Sequence, residues 1–521
     1  MVANVQLHDD NLDKTFRLIR LHESDNIGIA RSATPAGSVF HDTRLRPTSF
    51  IPSGHKVALS VIHPGEPVYR YGHIIGFATR LIEAGEHVHT QNLAADPFAR
   101  PHSTAQDDAE AVTLPWVTAD TDAGFEGYLR SDGRVGTRNL IAVMATVNCS
   151  AYTVREIARH FRHDRLQAYP GVDGVIAITH AFGCAVQIGG DDYQVLQRTL
   201  RGILRHPNIA ACIVVGLGCE TNQADALLSG LEDAAGDGPR AITIQDQGSV
   251  RSTIAAGIAA VEAALPEANQ HRRTWQPLSK LTIALQCGGS DSWSGISANP
   301  LLGRAVDQLI RQGGTAVLAE TPEIYGAEHL LMRRAASEPV RQRLADLIAW
   351  WESYAARNGS TLDNNPSVGN KVGGLTTIYE KSLGAVAKGG TSPLVDVLEY
   401  AQPIEVPGFV FMDSPGYDPV SVTGQVAGGC TLVCFTTGRG SAFGFCAAPS
   451  LKIASTSELY ARMQEDMDFD AGQILDGRDM GEVSGELLKE IISVASGKRT
   501  RSEAQGIGED EFIPWNRFGV L

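Results

Sequence analysis

The pattern of apolar and polar positions changes near residue 123. Before residue 97, short β-prone segments are separated by turns rich in Gly and Pro, which is typical of a small β-rich module. Residues 98–122 are rich in Pro, Asp and Ala and show no sustained periodicity, so we predict a linker there. Residues 1–97 are therefore expected to form a module of their own.

From residue 123 onward, apolar runs alternate with segments of helical periodicity. The apolar runs lack polar alternation, as expected for parallel strands that are covered on both faces. Between two of them, Val195, Leu196 and Leu200 mark one apolar helical face. The fold class is therefore α/β multidomain, with a doubly wound α/β domain at 123–270 and a further α/β domain at 275–515. The predicted strands are 139–147, 174–180, 209–217, 241–246, 281–286, 315–320, 408–413 and 430–437.

Composition narrows the class of protein. With 44 basic and 59 acidic residues among 521, the formal net charge is −15, which argues against a nucleic-acid-binding surface. The amino terminus lacks the apolar core of a signal peptide, and no apolar run approaches the ~20 residues of a membrane span. We expect a cytoplasmic protein with reduced cysteines and with neither nucleic-acid nor membrane partners.

Four of the 8 cysteines end predicted strands or follow them closely. Open α/β sheets bind ligands beyond the carboxyl ends of their strands, so this placement indicates a metal or a redox-sensitive centre. The alternative is that small residues at these turns only allow a ligand to approach. No CxxC pair is present, which argues against a zinc ribbon or a thioredoxin motif. The four residues are Cys149, Cys184, Cys219 and Cys287.

Polar side chains and glycines share these turns. Glycines allow the backbone to approach a ligand closely, and an arginine such as Arg439 can hold a carboxylate through two hydrogen bonds. The GRVGTR stretch precedes a strand instead of following one, so we reject a nucleotide-binding loop. The polar candidates are His180, Glu220, Asn222, Asp291, Ser294, Asn370, Lys371 and Arg439.

The first module carries histidines near its turns. His87 and His89 lie on one face of an extended segment, a spacing compatible with metal ligation. His22 and His55 lie near other turns. Ordinary loop histidines are the alternative interpretation.

Several long motifs make the chain recognisable. Residues 125–139, FEGYLRSDGRVGTRN, followed by ATVNC, resemble the altronate and galactarate dehydratase family of sugar-acid hydro-lyases, and the resemblance covers nearly the whole chain. LHESDN, GHKVAL and YGHIIG resemble the small SAF (β-clip) module of that family. Further matching stretches are HAFGC, GLGCE, QCGGSDSWSGISANP, NPSVGNKVGGL, EKSLG, FTTGRG and VASGK.

The resemblance implies a SAF module, an α/β second domain and a C-terminal catalytic domain. It implies metal-dependent dehydration of a six-carbon sugar acid, with Fe²⁺ (or Mn²⁺) as the cofactor. EHVHTQNL and the tail DEFIPWNRFGVL resemble the altronate branch, so the expected reaction converts D-altronate to 2-dehydro-3-deoxy-D-gluconate and water in hexuronate catabolism. Galactarate dehydration and a sulfolactate sulfo-lyase reaction are the alternatives. The expected partners are a small-molecule sugar acid and, in a homodimer, a second copy of the chain.

Dehydration of a 2,3-dihydroxy acid needs a base for the proton beside the carboxylate, a group that stabilises the enediolate, and an acid for the leaving hydroxide. We leave the assignment of acid and base open. The candidates for these roles are His22, His55, Lys56, His180 and Lys371. The substrate-binding candidates are Asn222, Asp291, Ser294, Asn370 and Arg439. The metal-ligand candidates are Cys149, Cys184, Cys219, Cys287, Glu220, His87 and His89.

Two kinds of metal centre are compatible with these residues. One is a single Fe²⁺ or Mn²⁺ among His and carboxylate ligands. The other is an iron–sulfur cluster held by three of the strand-end cysteines, whose open iron activates the substrate hydroxyl. A sugar-acid-binding or regulatory protein without catalysis is a different functional class, against which the intact polar turns argue.

Overall fold

The computed structural model describes residues 16–96, 123–229 and 240–517. The predicted linker at 98–122 lies outside the described residues. The expected fold class is confirmed, because an N-terminal β module precedes two α/β domains that contain parallel sheets.

The N-terminal module consists of two small antiparallel sheets. One has the strand order β1-β2-β3-β6 and the other the order β4-β5-β7. Gly and Pro turns separate strands of two to six residues, as the sequence predicted. The strands are β1 (Leu18–Ile19), β2 (Ile27–Ala30), β3 (Lys56–Ala58), β4 (Pro67–Arg70), β5 (His73–Ala78), β6 (His87–Val88) and β7 (Leu93–Ala94).

The second domain is built on a parallel sheet with the order β11-β10-β12-β13. The strand predicted at 241–246 ends at Thr243, and a short helix follows that the Gly248 N–H closes by donating to the Gln245 carbonyl. A separate three-stranded sheet has the order β14-β8-β9. The elements are β8 (Gly124–Leu129), β9 (Val135–Gly136), β10 (Leu140–Ala145), α1 (Ala151–His160), β11 (Gly174–Ile178), α2 (Asp191–Leu204), β12 (Ile209–Gly216), α3 (Ala224–Leu228), β13 (Arg240–Thr243), α4 (Ile244–Gln247), α5 (Val250–Ala268) and β14 (Thr274–Pro277).

The C-terminal domain is built on a seven-stranded parallel sheet with the order β17-β18-β16-β15-β19-β20-β21. Its strands are β15 (Thr282–Cys287), β16 (Thr315–Leu318), β17 (Leu394–Leu398), β18 (Phe409–Met412), β19 (Leu432–Thr437), β20 (Ser450–Ala454) and β21 (Phe469–Asp470). Its helices are α6 (Ala298–Arg311), α7 (Glu328–Met332), α8 (Glu338–Arg357), α9 (Val368–Val372), α10 (Ile378–Val386), α11 (Asp418–Gly428), α12 (Ser457–Arg462), α13 (Met480–Ala495) and α14 (Arg501–Gln505). Short 3-10 helices occur at Asn148–Ser150, His163–Leu166, Leu278–Lys280, Thr321–Ile324, Leu362–Asn364, Ala387–Gly389 and Gly472–Ile474.

The N-terminal module and the C-terminal domain share one hydrophobic core. A single cluster of buried side chains includes Ile29 and Ile75 of the N-terminal module together with Leu301 and Phe411 of the C-terminal domain. Burial of apolar surface stabilises this contact by roughly 25 cal/mol per Å². The contact fixes the N-terminal module against the C-terminal domain, so side chains of both can contribute to one site. Within the described ranges, no helix is both long and apolar enough to cross a bilayer.

Candidate active site

Polar side chains converge where the N-terminal module meets the C-terminal domain. Tyr71, at the β4–β5 turn, lines a small cavity with Cys287 at the end of β15 and Lys381 of α10. Asp291 and Ser294, from the loop after β15, line the same cavity. The carboxyl end of a central strand and the edge of the N-terminal module thus enclose one polar space, as expected for ligand sites of α/β sheets.

Three histidines of the N-terminal module form an imidazole cluster beside this space. His55 Nδ1 lies 2.9 Å from His87 Nε2, and the ring centroids of His55 and His89 are 5.0 Å apart. Burial lowers the pKa of His87 to about 4 and that of His89 to about 3, so both rings are neutral at pH 7. His89 Nδ1 is buried without a hydrogen-bond partner. Ligating atoms of the three rings lie within 4.8 Å of one another, an arrangement that can hold a metal ion.

A buried ion cluster joins the same module to α10. Lys56 Nζ lies 2.9 Å from Glu380 Oε1, Arg70 donates to the same oxygen, and all three side chains are fully buried. Burial disfavours the charged Glu380 carboxylate, but Lys56 and Arg70 outweigh it and lower its pKa to about 2. Lys56 also donates to the Gly374 carbonyl at 2.6 Å. This geometry makes Lys56 part of the contact between the N-terminal module and the C-terminal domain, and the acid–base role of Lys56 stays a prediction.

A second buried cluster surrounds Cys287. Lys388 Nζ lies 2.9 Å from the Cys287 Sγ, and that thiol lies 3.7 Å from Glu323 Oε2. Lys381 Nζ donates to Glu323 Oε1 at 2.6 Å, and Asn365 Nδ2 donates to the same oxygen at 2.8 Å. Burial opposes ionisation of Glu323, but the two ammonium groups outweigh it and lower its pKa. The carboxylate and both lysines are therefore charged at neutral pH.

Two further acids of this cluster have pKa values that are raised instead of lowered. Burial and the neighbouring Glu323 carboxylate raise the pKa of Glu320 well above its usual range and that of Asp418 to about 7. Both carboxylate oxygens of Glu320 are buried without a hydrogen-bond partner. Acids whose surroundings separate their pKa values in this way are typical of acid–base sites. Ligating atoms of Cys287, Glu320 and Glu323 also lie within 4.8 Å of one another.

The structure divides the four strand-end cysteines between two sheets. Cys287 is buried beside Lys388, whereas Cys149, Cys184 and Cys219 are exposed at the second domain's parallel sheet. The predicted set of four therefore does not form one ligand group.

Three predicted residues of the second domain form hydrogen bonds with the end of β10 and with neighbouring loops. His180 Nε2 donates to the Ala145 carbonyl at 3.0 Å, and its Nδ1 accepts from the Phe182 N–H, so the ring has no free nitrogen for a proton transfer. Glu220 accepts hydrogen bonds from the Thr146 hydroxyl and the Gly218 N–H, and Asn222 donates to the Thr146 carbonyl. The catalytic role of His180 stays a prediction, against which the hydrogen bonds of both ring nitrogens to backbone groups argue.

The remaining predicted residues lie in the N-terminal module and in the C-terminal domain. His22 is exposed and accepts a hydrogen bond from the Ser24 N–H. Asn370 closes a capping box with Ser367 and donates to the Ser290 carbonyl at 2.8 Å, so its amide is used within the loops. Lys371 is half-buried in α9, and the Arg439 side chain is exposed after β19.

Sequence reasoning missed most of the cluster around Cys287. Glu320 closes a predicted strand, which is a position that could have marked it. Lys381 and Lys388 lie in α10 and in the 3-10 helix after it, where charged residues usually face solvent. The missed residues are Arg70, Glu320, Glu323, Glu380, Lys381, Lys388 and Asp418.

A larger cavity, of about 630 Å³, lies elsewhere. Its lining includes Arg198 and Arg201 of α2 and Gly428 of α11, and none of the groups described above. Both arginines are already bound, Arg198 to Glu399 and Arg201 to the Leu227 carbonyl. The cavity that Cys287 and Lys381 line is therefore a different one from this larger cavity.

The buried acids Glu320 and Asp418 have raised pKa values and Glu323 a lowered one, and such groups beside charged lysines can perform acid–base chemistry. The family models that match describe the altronate/galactarate dehydratase SAF domain at residues 16–96, the D-galactarate dehydratase/altronate hydrolase second domain at 127–269, and the D-galactarate/altronate dehydratase C-terminal domain at 278–520. The chain belongs to the altronate and galactarate dehydratase family.

Curated relatives align along almost their whole length. The chain is 37% identical over 498 residues to the altronate dehydratase of Escherichia coli (strain K12), covering 95% of this chain and 98% of that protein. It is 35% identical over 497 residues to the altronate dehydratase of Bacillus subtilis (strain 168), covering 94% of this chain and 97% of that protein. It is 37% identical over 517 residues to the galactarate dehydratase (L-threo-forming) of Escherichia coli (strain K12), covering 97% of this chain and 98% of that protein.

Proposed function

We propose that this protein dehydrates D-altronate to 2-dehydro-3-deoxy-D-gluconate. The observation that carries the proposal is the buried group beside the cavity, in which charged lysines accompany one acid of lowered pKa and two acids of raised pKa. Similarity to two altronate dehydratases over at least 94% of the chain supports the choice of substrate. The cytoplasmic location and the homodimer stay predictions.

The buried cluster supplies the groups that elimination requires. Lys381 and Lys388 are placed to stabilise the negative charge that develops on the enediolate. Glu323, which is ionised, is the candidate to accept the proton of the carbon beside the carboxylate. Glu320 and Asp418, whose pKa values are raised, are the candidates to donate a proton to the departing hydroxide. The cavity lined by Tyr71, Asp291 and Ser294 measures only about 10 Å³, so in this scheme it must widen before the substrate carboxylate can enter.

We propose that Fe²⁺, or Mn²⁺ in its place, binds at His55, His87 and His89. The donor set fits such an ion, because the rings are neutral and converge, and the buried Nδ1 of His89 has no other partner. When bound, the ion would polarise oxygens of the substrate. The cluster around Cys287 is the alternative donor set, and Glu320 brings the unpartnered oxygens there.

A substrate panel tests the reaction. The full chain, purified without oxygen and supplied with Fe²⁺, is incubated with D-altronate, galactarate and sulfolactate, and the 2-keto acid or sulfite is measured. We expect 2-dehydro-3-deoxy-D-gluconate from altronate at the highest kcat/KM. Turnover of another acid alone would replace the proposed substrate.

Metal analysis tests the binding site separately. We expect His87→Ala and His89→Ala to lose most of the iron bound at this site, while the exposed His63→Asn variant retains it. If both alanine variants bind as much Fe²⁺ as the wild type when no sulfide is present, the imidazole cluster is excluded as the binding site.

Galactarate is the second candidate substrate. The identity to the galactarate dehydratase equals that to the altronate dehydratase of the same organism, 37% in each case. Galactarate has two carboxylates where altronate has one, so it needs a second cationic contact. The same panel separates the two acids.

A further inference from the structure

Three exposed thiols lie at the carboxyl edge of the second domain's sheet. Cys149 follows β10, which is the strand between β11 and β12, and Cys184 and Cys219 follow those two neighbours. All three are exposed, whereas the other five cysteines are buried or half-buried. Cysteine is among the most buried residue types, so three exposed cysteines on adjacent turns need a cause other than packing.

The chain holds these three turns against one another. The Asn148 N–H, next to Cys149, donates to the Phe182 carbonyl of the Cys184 turn at 3.0 Å. The Asn222 N–H, in the turn of Cys219, donates to the Gly183 carbonyl at 3.0 Å. Each cysteine-bearing turn is therefore tied to its neighbour, so the thiols are carried on one ordered surface.

The residues that precede two of the cysteines must be glycines. Gly183 has φ 106° and Gly218 has φ 125°, a backbone region that side chains rarely allow. A Cβ on Gly183 would lie 2.4 Å from the Thr146 carbonyl oxygen at the end of β10. The Cys184 turn can therefore pack directly on the strand that leads to Cys149.

The spacing of the thiols argues against a single ion. Bonds of roughly 2.3 Å to one tetrahedral ion would hold the three sulfurs about 4 Å apart. Within the part of the chain that the structure describes, the groups of three ligating atoms within 4.8 Å are the imidazole cluster and the Cys287 cluster. The three exposed thiols form no such group, so they lie farther apart than the ligands of one ion would. A multi-iron cluster binds each thiolate to a different iron and so spans a wider set.

We propose that Cys149, Cys184 and Cys219 ligate an iron–sulfur cluster of the four-iron type, with the fourth iron free of any cysteine of this set. On ligation each thiol releases its proton to solvent, and the iron and sulfide come from outside the chain. The site shares no residue with the imidazole cluster or with the Cys287 cluster. It is therefore independent of the proposed reaction, and either proposal can fail without the other.

Cluster content is the direct test. The full chain is purified without oxygen, supplied with Fe²⁺, sulfide and a thiol reductant, and desalted; iron, acid-labile sulfide and absorbance are then measured. We expect about four sulfide and about five iron per chain, four in the iron–sulfur cluster and one at the imidazole cluster, with a broad band at ~400 nm. Cys149→Ser, Cys184→Ser and Cys219→Ser should each lose at least half of the sulfide and of the band. Cys446→Ser, at a half-buried cysteine of the C-terminal domain, is the matched control and should retain both.

A second measurement uses the unchanged chain and does not depend on the folding of variants. Before loading, an alkylating reagent should modify Cys149, Cys184 and Cys219, and loading should protect all three, as read by mass spectrometry. Absence of sulfide from the loaded chain, a band that all three serine variants retain, or binding of one zinc ion without sulfide would each overturn the proposal.

Discussion

Glu320 combines two costs at one residue. Its φ of 73° is a left-handed backbone conformation that residues other than glycine rarely adopt, and its buried carboxyl oxygens have no hydrogen-bond partner. Strain of this kind costs about 1–3 kcal/mol, and a buried polar group without a partner adds to it. Such costs persist mainly at functional sites, which is consistent with a proton donor here.

We predict that Glu320→Gln lowers kcat at least ~100-fold, because an amide cannot donate the proton that the raised pKa keeps on the carboxyl. The free energy of unfolding should change by less than about 0.5 kcal/mol, since Gln resembles the protonated acid in shape and no hydrogen bond is lost. Steady-state kinetics and denaturant unfolding measure the two effects. Glu338→Gln, at an exposed helix start, is the control. Wild-type kcat in Glu320→Gln would exclude this residue as the acid.

Among the elements, α10 connects the two clusters. All nine of its residues, Ile378–Val386, are buried. Glu380 pairs with cations of the N-terminal module, and the next residue, Lys381, pairs with Glu323. Thr377 caps the helix by accepting from the Glu380 N–H and donates to the Ile75 carbonyl of β5. A displacement of α10 would therefore disturb the module contact and the cavity together.

We predict that Glu380→Ala lowers the free energy of unfolding by about 3–5 kcal/mol, because it removes the carboxylate that Lys56 and Arg70 share and leaves Arg70 charged in a fully buried place. Asp476→Asn is a matched control, because it removes an ion pair with Arg31 across the same module contact. That pair is exposed and its loss should cost about 0–1 kcal/mol. Denaturant unfolding compares the variants. Equal losses in both would show that burial does not determine the strength of these pairs.

At the scale of the whole molecule, a buried histidine links the second and C-terminal domains. His206 Nε2 donates to the Cys430 carbonyl at 3.0 Å, and its Nδ1 accepts from the Asn208 N–H. Burial lowers the pKa of His206 to about 3. Below pH 6.5, which is the ordinary pKa of histidine, the unfolded chain protonates this ring. The folded chain keeps it neutral down to about pH 3.

We predict that the protein loses stability as the pH falls from 6.5 towards 4. In this window the unfolded state binds a proton at His206 that the folded state does not, so this residue contributes up to about 1.4 kcal/mol per pH unit. Urea unfolding at pH 7 and pH 5 should give a smaller loss for His206→Asn than for the wild type. The exposed His63→Asn variant controls for the loss of a histidine as such. An unchanged loss in His206→Asn would refute the assignment.

The fold was largely predictable because parallel strands covered on both faces leave long apolar runs in the sequence. The strand expected at 315–320 ends at Leu318. Propensity and periodicity do not mark ends, because local hydrogen bonds decide them. The strand predicted through residue 246 gives way to α4 for this reason.

The site was less predictable, because polarity in a turn does not say which partner it has. His180 and Asn222 satisfy backbone groups, although their turns resemble ligand-binding ones. Lys381 and Lys388 become functional candidates only through partners distant in the chain, Glu323 and Cys287. The convergence of His55, His87 and His89 likewise depends on how β3 and β6 pair.

The buried Lys56–Arg70–Glu380 cluster constrains how this protein can change over generations. Lys56 and Glu380 are separated by 324 positions in the chain, yet neither charge tolerates the loss of the other. A recombination event that exchanged the N-terminal module would have to supply both cations again. Otherwise Glu380 would remain buried without an ion-pair partner. The N-terminal module and the C-terminal domain must therefore be inherited together.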